Sequence, residues 1–419
     1  MKKALRYISA AAACIVMTGC ASEQGEGLIN FFRNDYFEHT TAAPTTTTQT
    51  TPSTTTQTAT TAGNTGEPEE NIPKLDPVDS DGTVTICSFN NDIETFLDGW
   101  SPQGADVVFT TVDISEYYDY LDNVAFSGGS DIDIFVVDQD HLPKYLDPDF
   151  ALPLEALSRI DTSEMYDFNV SDCTYGNHGL YALNLNNNPG VFLYNREVAR
   201  EVLGDDSPEY VQSCISDWDK FLETAQEMNA RGFKTTPNFT DMYRAFGGAA
   251  KRFDASDSVE VPPEAMEWVS LAKELYEQGM CGNGDIWTTD WYYCFTTGDF
   301  FGTFASSWLA EITLEYMKYN DSWAVCAGPN AFTWDNNYVL ISRRSNSMTA
   351  SMDILKRLCV DGELNYDLGM IIPDNSSKFL DESADERIGT LSGQAPCRLY
   401  DRLLSSITTS IGEIGRAHV

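Results

Sequence analysis

Three apolar runs of strand length dominate residues 83–138: "TVTICSF" (83–89), "ADVVFTTVD" (105–113) and "DIDIFVVD" (131–138). The helical stretches "DIETFLDGW" and "SEYYDYLDNVAF" lie between them. Strands that alternate with helices predict a parallel sheet joined by crossover helices. Near-continuous apolar strands, rather than alternating ones, fit a sheet covered on both faces. A second α/β set follows "PGVFLYNREVAREVLG" (189–204). In "SDWDKFLETAQEMNARG" (216–232), Ser216 is placed to cap a helix and Asp219 follows three residues later. Trp218, Phe221, Leu222, Ala225 and Met228 share one face of it, which makes Trp218 a core residue. "PPEAMEWVSLAKELYEQG" (262–279) is another helix, with a proline start and a glycine stop, and its Trp268 reads the same way. The chain returns through "SWAVCAGPNAFTWDNNYVLISRRS" (322–345), two strands interrupted by a polar loop. At 419 residues there is material for two domains and a substantial core.

The segment before Thr83 is of another kind. Lys2, Lys3 and Arg6 precede the apolar run "YISAAAACIVM" (7–17), which is too short to span a membrane and reads as an export signal. It closes on "MTGC", which resembles a bacterial lipobox and makes Cys20 the expected lipid-modified first residue of the mature protein. Residues 40–65 hold 15 threonines and almost nothing able to build a core, so 20–81 is expected to be an anchored linker. A flexible chain of that length spans about 40–45 Å on average. Such a spacer lifts a working domain off a membrane face without spanning it.

A net charge of −38 repels phosphate backbones and argues against nucleic-acid binding. The eight cysteines after Cys20 (87, 173, 214, 281, 294, 326, 359 and 397) form no CxxC and show no disulfide framework. Disulfides of an exported protein and buried thiols both remain open. His141 and His178 lie in no metal-ligand pattern, and GxSxG, P-loop and GxGxxG motifs are missing. No catalytic residue, metal site or cofactor is therefore expected.

What stands out is aromatic residues at strand ends, where open α/β sheets bind ligands. The stretch "GDFFGTFASSWLAEI" (298–312) puts Trp308 just after an expected strand at 300–304, in the first turn of a helix. Trp334 lies in the polar loop "NAFTWDNN". Trp287 and Trp291, four apart in "DIWTTDWYYCF", fit one helical face, where they either cap the core or meet a ligand. Sugars present apolar C–H faces to aromatic rings and hydroxyl edges to Asp and Asn, and neutral ones tolerate an acidic protein.

In these pieces the chain resembles the extracellular solute-binding proteins of bacterial ABC sugar importers, the group that includes maltose-binding protein. The resemblance runs from about Thr83 to Arg402. It is carried by "DIDIFVVDQDHLPKYLD", "GVFLYNREVAREVLG", "SDWDKFLETAQEM", "WTTDWYYCFTTGDFFGTFASSW", "YVLISRRSNS" and "LSGQAPCRLYD". It implies a two-lobed type II periplasmic-binding-protein-like α/β fold with hinge-connected doubly wound sheets. One lobe would take 82–187 and 338–373, and the other 188–330 and 376–419. Ligand would shift an open–closed equilibrium, and the closed form would dock on ABC transporter permease subunits.

By position in the resemblance, Trp308 matches the stacking tryptophan after a "GxFxxxW" strand. Asn90 and Asn91 after the first strand, and Asp138 and Asp140 after the third, match residues that hold sugar hydroxyls. Tyr243 and Arg244 in "DMYRAF" match a cleft-facing turn, and "TWDNN" departs from the Gly-Gly common after the aromatic. The expected protein is a monomeric carbohydrate-binding lipoprotein on the outer face of the bacterial cytoplasmic membrane. A surface-anchored glycoside hydrolase and a sugar-sensing binding protein are the alternatives. The ending "EIGRAHV" departs from the helix that relatives carry there, so a truncated second lobe is expected.

Overall fold

The computed structural model describes residues 77–79, 82–102, 104–129, 132–163, 165–176, 178–246, 263–284, 288–309, 322–360, 387–389 and 391–407, all within the compact unit Ile72–Val419. Cys20, the threonine-rich linker, Trp287 and residues 408–419 lie outside them. Among the described residues no helix is long and apolar enough to cross a membrane.

Among the described residues, eight strands form two sheets: β1 (Thr83–Ser88), β2 (Asp106–Thr111), β3 (Ile134–Asp138), β4 (Ala182–Asn186), β5 (Gly190–Asn195), β6 (Gly302–Ser306), β7 (Trp323–Cys326) and β8 (Asn337–Ile341). The first lobe is built on the sheet β2-β1-β3-β8-β4, and the second on β6-β5-β7. The expected parallel pairing holds for β2, β1 and β3, which helices connect. β8 instead runs antiparallel between β3 and β4. It arrives directly from the second lobe, so no crossover helix turns it round. In the second lobe β5 is antiparallel to both neighbours.

Both faces of the second sheet are covered, and period-2 alternation explains how. Phe192 and Tyr194 of β5 join Phe221, Met228, Phe304 and Trp334 on one side. Val191 and Leu193 join Trp291, Ala305, Trp323 and Tyr400 on the other. Burying each side chain of the Phe or Leu kind contributes about 1.5–3 kcal/mol. Val84, Ile86, Phe135, Val137, Leu340 and the helix Met348–Cys359 form the first lobe's core. Helix Cys397–Ser406 touches both lobes: Tyr400 and Leu403 enter the second core, while Cys397 and Leu404 pack on Tyr166 and Phe168 of the first.

Helix Trp218–Ala230 buries Phe221, Ala225 and Met228 as the periodicity predicts, and Trp218 stacks on Phe246 at 3.8 Å. Its cap is Asp217 rather than Ser216: the Asp217 carboxylate accepts from the Lys220 amide at 2.9 Å, and the Ser216 hydroxyl donates to that carboxylate. The ionised acceptor is the stronger partner for the helix N-terminus. Trp268 is half-buried, and its indole N–H donates to the Phe239 carbonyl at 2.9 Å. The eight cysteines are free thiols, seven of them buried. Burial pushes the Cys87 and Cys326 thiols up to about 12, which keeps them protonated and unreactive.

Candidate functional site

The lobes are joined by two segments that cross side by side, residues 187–189 between β4 and β5, and 327–336 between β7 and β8. Pro189 pairs with Thr333 in an antiparallel bridge at a position that requires no N–H of the proline, and the Gly190 amide donates to the Phe332 carbonyl at 2.7 Å beside it. Asparagine side chains extend the pairing beyond this bridge. The Asn188 amide donates to Asn336 Oδ1 at 2.8 Å, and Asn188 Nδ2 donates to the Asp335 carbonyl at 2.6 Å. The Asn337 amide donates to Asn186 Oδ1 at 3.0 Å. Gly190 is required where the segments touch, because a Cβ there would lie 2.2 Å from the Phe332 ring.

Both candidate tryptophans flank this hinge. The Trp334 amide donates to the Asn188 carbonyl at 3.0 Å, and the amide of Ser307, next to Trp308, donates to the Pro189 carbonyl at 3.1 Å. The strand before Trp308 runs two residues further than the sequence indicates, through Ser306, and a helical turn begins at Ser307. Trp308 is half-buried against the second core, while Trp334 is 9% exposed.

The first-lobe wall is the end of β3 and the residues after it. Asp138 is partly buried, and its carboxylate takes the His141 ring Nδ1 at 2.8 Å and the His141 amide at 2.9 Å. Burial pushes its carboxyl up, but hydrogen bonds from His141 and the Tyr118 hydroxyl outweigh that and hold it below the usual range. His141 stacks on Tyr118 with centroids 3.5 Å apart. Gln139 accepts from the Thr333 hydroxyl at 3.2 Å, which pins the end of β3 to the hinge. Sequence reasoning missed Tyr118 and His141; the His three residues after Asp138 was the available signal.

The second-lobe wall is the 3₁₀ turn Asp241–Phe246, which carries Tyr243 and Arg244. Buried Asp241 anchors it, accepting from Asn238 Nδ2 at 3.1 Å, Trp291 Nε1 at 3.2 Å and the Thr303 hydroxyl at 3.5 Å. Tyr243 leans on Trp268, with centroids 4.9 Å apart. Arg244 crosses to the first lobe: its Nη2 lies 3.2 Å from Asp140 Oδ2, and its guanidinium carbon 5.4 Å from the centre of the Trp334 ring.

The structure thus gathers Asp138, Asp140, Arg244 and Trp334 at one place beside the hinge, with Trp308 on the hinge's other flank. Asn90 adjoins them through Asp92, to which its Nδ2 donates at 2.7 Å. Asn91 turns to the edge strand β2, where it accepts from the Thr111 hydroxyl at 3.1 Å. Trp291 is a correction: it is fully buried behind the Asp241 turn and packs on Phe295 at 5.0 Å, so it supports the cleft wall without forming its surface. A helical face four residues wide fits a core as well as a cleft, and only the neighbouring chain decides which.

Asp335 was not foreseen. Its backbone is left-handed, with φ at 71°, and solvent reaches its side chain. Enclosure by the protein around it nonetheless pushes its carboxyl up to about 6; Arg244 opposes the rise, and Asp138, Asp140 and Asp92 add to it. A carboxyl raised above its unfolded value of about 4 stabilises the fold fully only below that value, and the contribution is lost as pH rises through about 6. Asp335→Asn, which tolerates the same backbone, is expected to gain stability relative to wild type as pH goes from about 4.5 to 7. Urea unfolding of both proteins at the two pH values checks this; a constant difference would show that Asp335 ionises freely.

One cavity, of about 310 Å³, lies at the other end of β5, lined by Arg196, Glu197, Arg200, Asp206, Ser322 and Ser392. Both guanidiniums there are held by Asp206 at 2.7 Å, and none of these lining residues belongs to the hinge cluster. Among the described residues, no group of three or more His, Cys, Asp or Glu side chains is placed to hold a metal ion.

No protein-family model matches the sequence, and no curated protein matches it. Solved structures do match in fold. An extracellular solute-binding protein of family 1 superposes with a TM-score of 0.69 at 13% identity, covering 80% of this chain and 90% of its own. The galacto-N-biose/lacto-N-biose I-binding protein of an ABC transporter from Bifidobacterium longum, in complex with lacto-N-biose, gives 0.61 at 14% identity over 79% and 87%. An ABC-transporter-associated binding protein from B. animalis subsp. lactis, in complex with β-1,6-galactobiose, gives 0.59 at 15% identity over 77% and 85%. The fold is therefore that of the type II periplasmic binding proteins, two α/β lobes about a hinge. Its neighbours are extracellular solute-binding proteins of ABC sugar transporters.

Proposed function

We propose that this chain captures a neutral oligosaccharide outside the cell and delivers it to the permease of an ABC importer. The observation that carries the reading is Trp334 in the crossing segment with Arg244 and Asp140 beside it, while Trp308 stands half-buried on the hinge's other flank. The half-buried Trp308 ring offers a flat face to sugar C–H groups, Trp334 keeps only a small exposed edge for them, and the carboxylates and guanidinium offer partners to hydroxyls. A hydroxyl buried without a partner costs about 1–3 kcal/mol, so these polar groups set which sugar fits. Cys20 would anchor the monomeric protein to the outer face of the bacterial cytoplasmic membrane, and the threonine-rich spacer would let it reach the permease.

A melting screen against a broad glycan panel tests the sugar reading. A glycan at 100 times its Kd is expected to stabilise the protein by about 2.7 kcal/mol. A shift with amino acids or peptides and none with glycans would reassign the solute.

A second reading draws on the two carboxyls. Asp335 is raised and Asp138 lowered beside one cleft, and glycoside hydrolysis uses such a contrast. Incubation with oligosaccharides and assay of released reducing ends separates the two, and the capture reading requires that none appear.

A further inference from the structure

We propose that Arg244 is an interlobe latch, holding the two lobes together by bridging Asp140 across the cleft while resting on Trp334. Among the described residues, Arg244 and Asp140 form the ion pair that joins the lobes, 104 residues apart in sequence. Both ends are rigidly mounted. Arg244 sits in the turn whose Asp241 is fixed by Asn238 and Trp291, and whose Ala245 carbonyl accepts from Asn330 Nδ2 at 3.0 Å. Asp140 follows Gln139, which Thr333 ties to the hinge. A well-mounted pair loses little side-chain freedom when it forms, and so contributes more than two loose surface chains.

Trp334 packs in the second lobe's core with Met242, Ala245 and Phe246 of the same turn, so its ring holds the guanidinium on that side, where Asp140 meets it from the first lobe. A cation over an indole face adds attraction where water is partly excluded. The side chains of Arg244 and Asp140 keep 28% and 29% of their exposure, so the latch is able to open. It would act on the ligand-free protein by setting how much of it already has its lobes together, and that fraction scales the apparent affinity for any ligand.

The test needs no ligand, so its outcome does not depend on the sugar reading. Spin labels are attached through ketone-bearing unnatural residues at exposed Glu116 in the first lobe and exposed Glu209 in the second, in the full chain. Wild type is expected to show a resolvable short-distance population. Arg244→Gln and Asp140→Asn should each shift the short-to-long ratio about two- to five-fold toward the long distance. Raising salt from 0.05 to 0.5 M should shift wild type the same way and leave both variants unmoved. The double exchange Arg244→Asp with Asp140→Arg should restore the short population. Unchanged distributions in both single variants that keep the wild-type melting temperature would overturn the latch. So would an equal salt response in wild type and variants.

Discussion

Trp291→Ala is expected to cost about 3–5 kcal/mol of stability, the range for emptying a large aromatic site in a packed core. Trp291 has no exposed surface and packs on Phe295, which in turn packs on Trp323. Its removal also takes a donor from the buried Asp241 carboxylate. Asp241 holds the turn that presents Tyr243 and Arg244, so the loss should loosen one wall of the cleft as well. Trp291→Phe keeps most of the volume and loses the hydrogen bond, and should cost clearly less. Urea midpoints of the three proteins measure this. An alanine variant as stable as wild type would show that this side chain is not core.

Trp308→Ala is expected to weaken binding of the glycan found by the melting screen about 30-fold or more, the effect of losing an anchor worth about 2 kcal/mol or more. The side chain is held half-buried beside the hinge, so its orientation is set before ligand arrives. Stability should fall less than in Trp291→Ala, because less surface is buried. Titration calorimetry together with melting separates the roles. Full affinity with a large drop in melting temperature would make Trp308 a packing residue.

The two tryptophans show where the sequence was informative. A strand that hands over to a helix at "ASSW" places Trp308 from local periodicity alone, and the structure puts it one residue past the amide that meets Pro189. Trp291 carries the same local pattern, yet a second layer of chain covers it. Asp335 was out of reach for another reason. Its carboxyl is raised first by enclosure and then by Asp138, Asp140 and Asp92 against the opposing Arg244, charges that lie 91 to 243 positions away along the chain. Trp334 reads as a residue of a polar loop; it lies in one strand of a hinge whose partner, 187–189, gives the Asn188 side chain to the Asp335 carbonyl and donates its Asn188 amide to the Asn336 side chain.

By itself the sequence determined the α/β class, the runs that became β1, β2, β3, β6, β7 and β8, and the helix faces that enter the cores. Those properties follow from period and apolar content within a few residues of each position. The tertiary structure alone decided that β8 runs antiparallel, that Trp291 is covered, and that Arg244 meets Asp140 across the lobes. Each of these depends on segments far apart in the chain packing together, and burial and charge pairing are properties of that assembly rather than of any one stretch of residues.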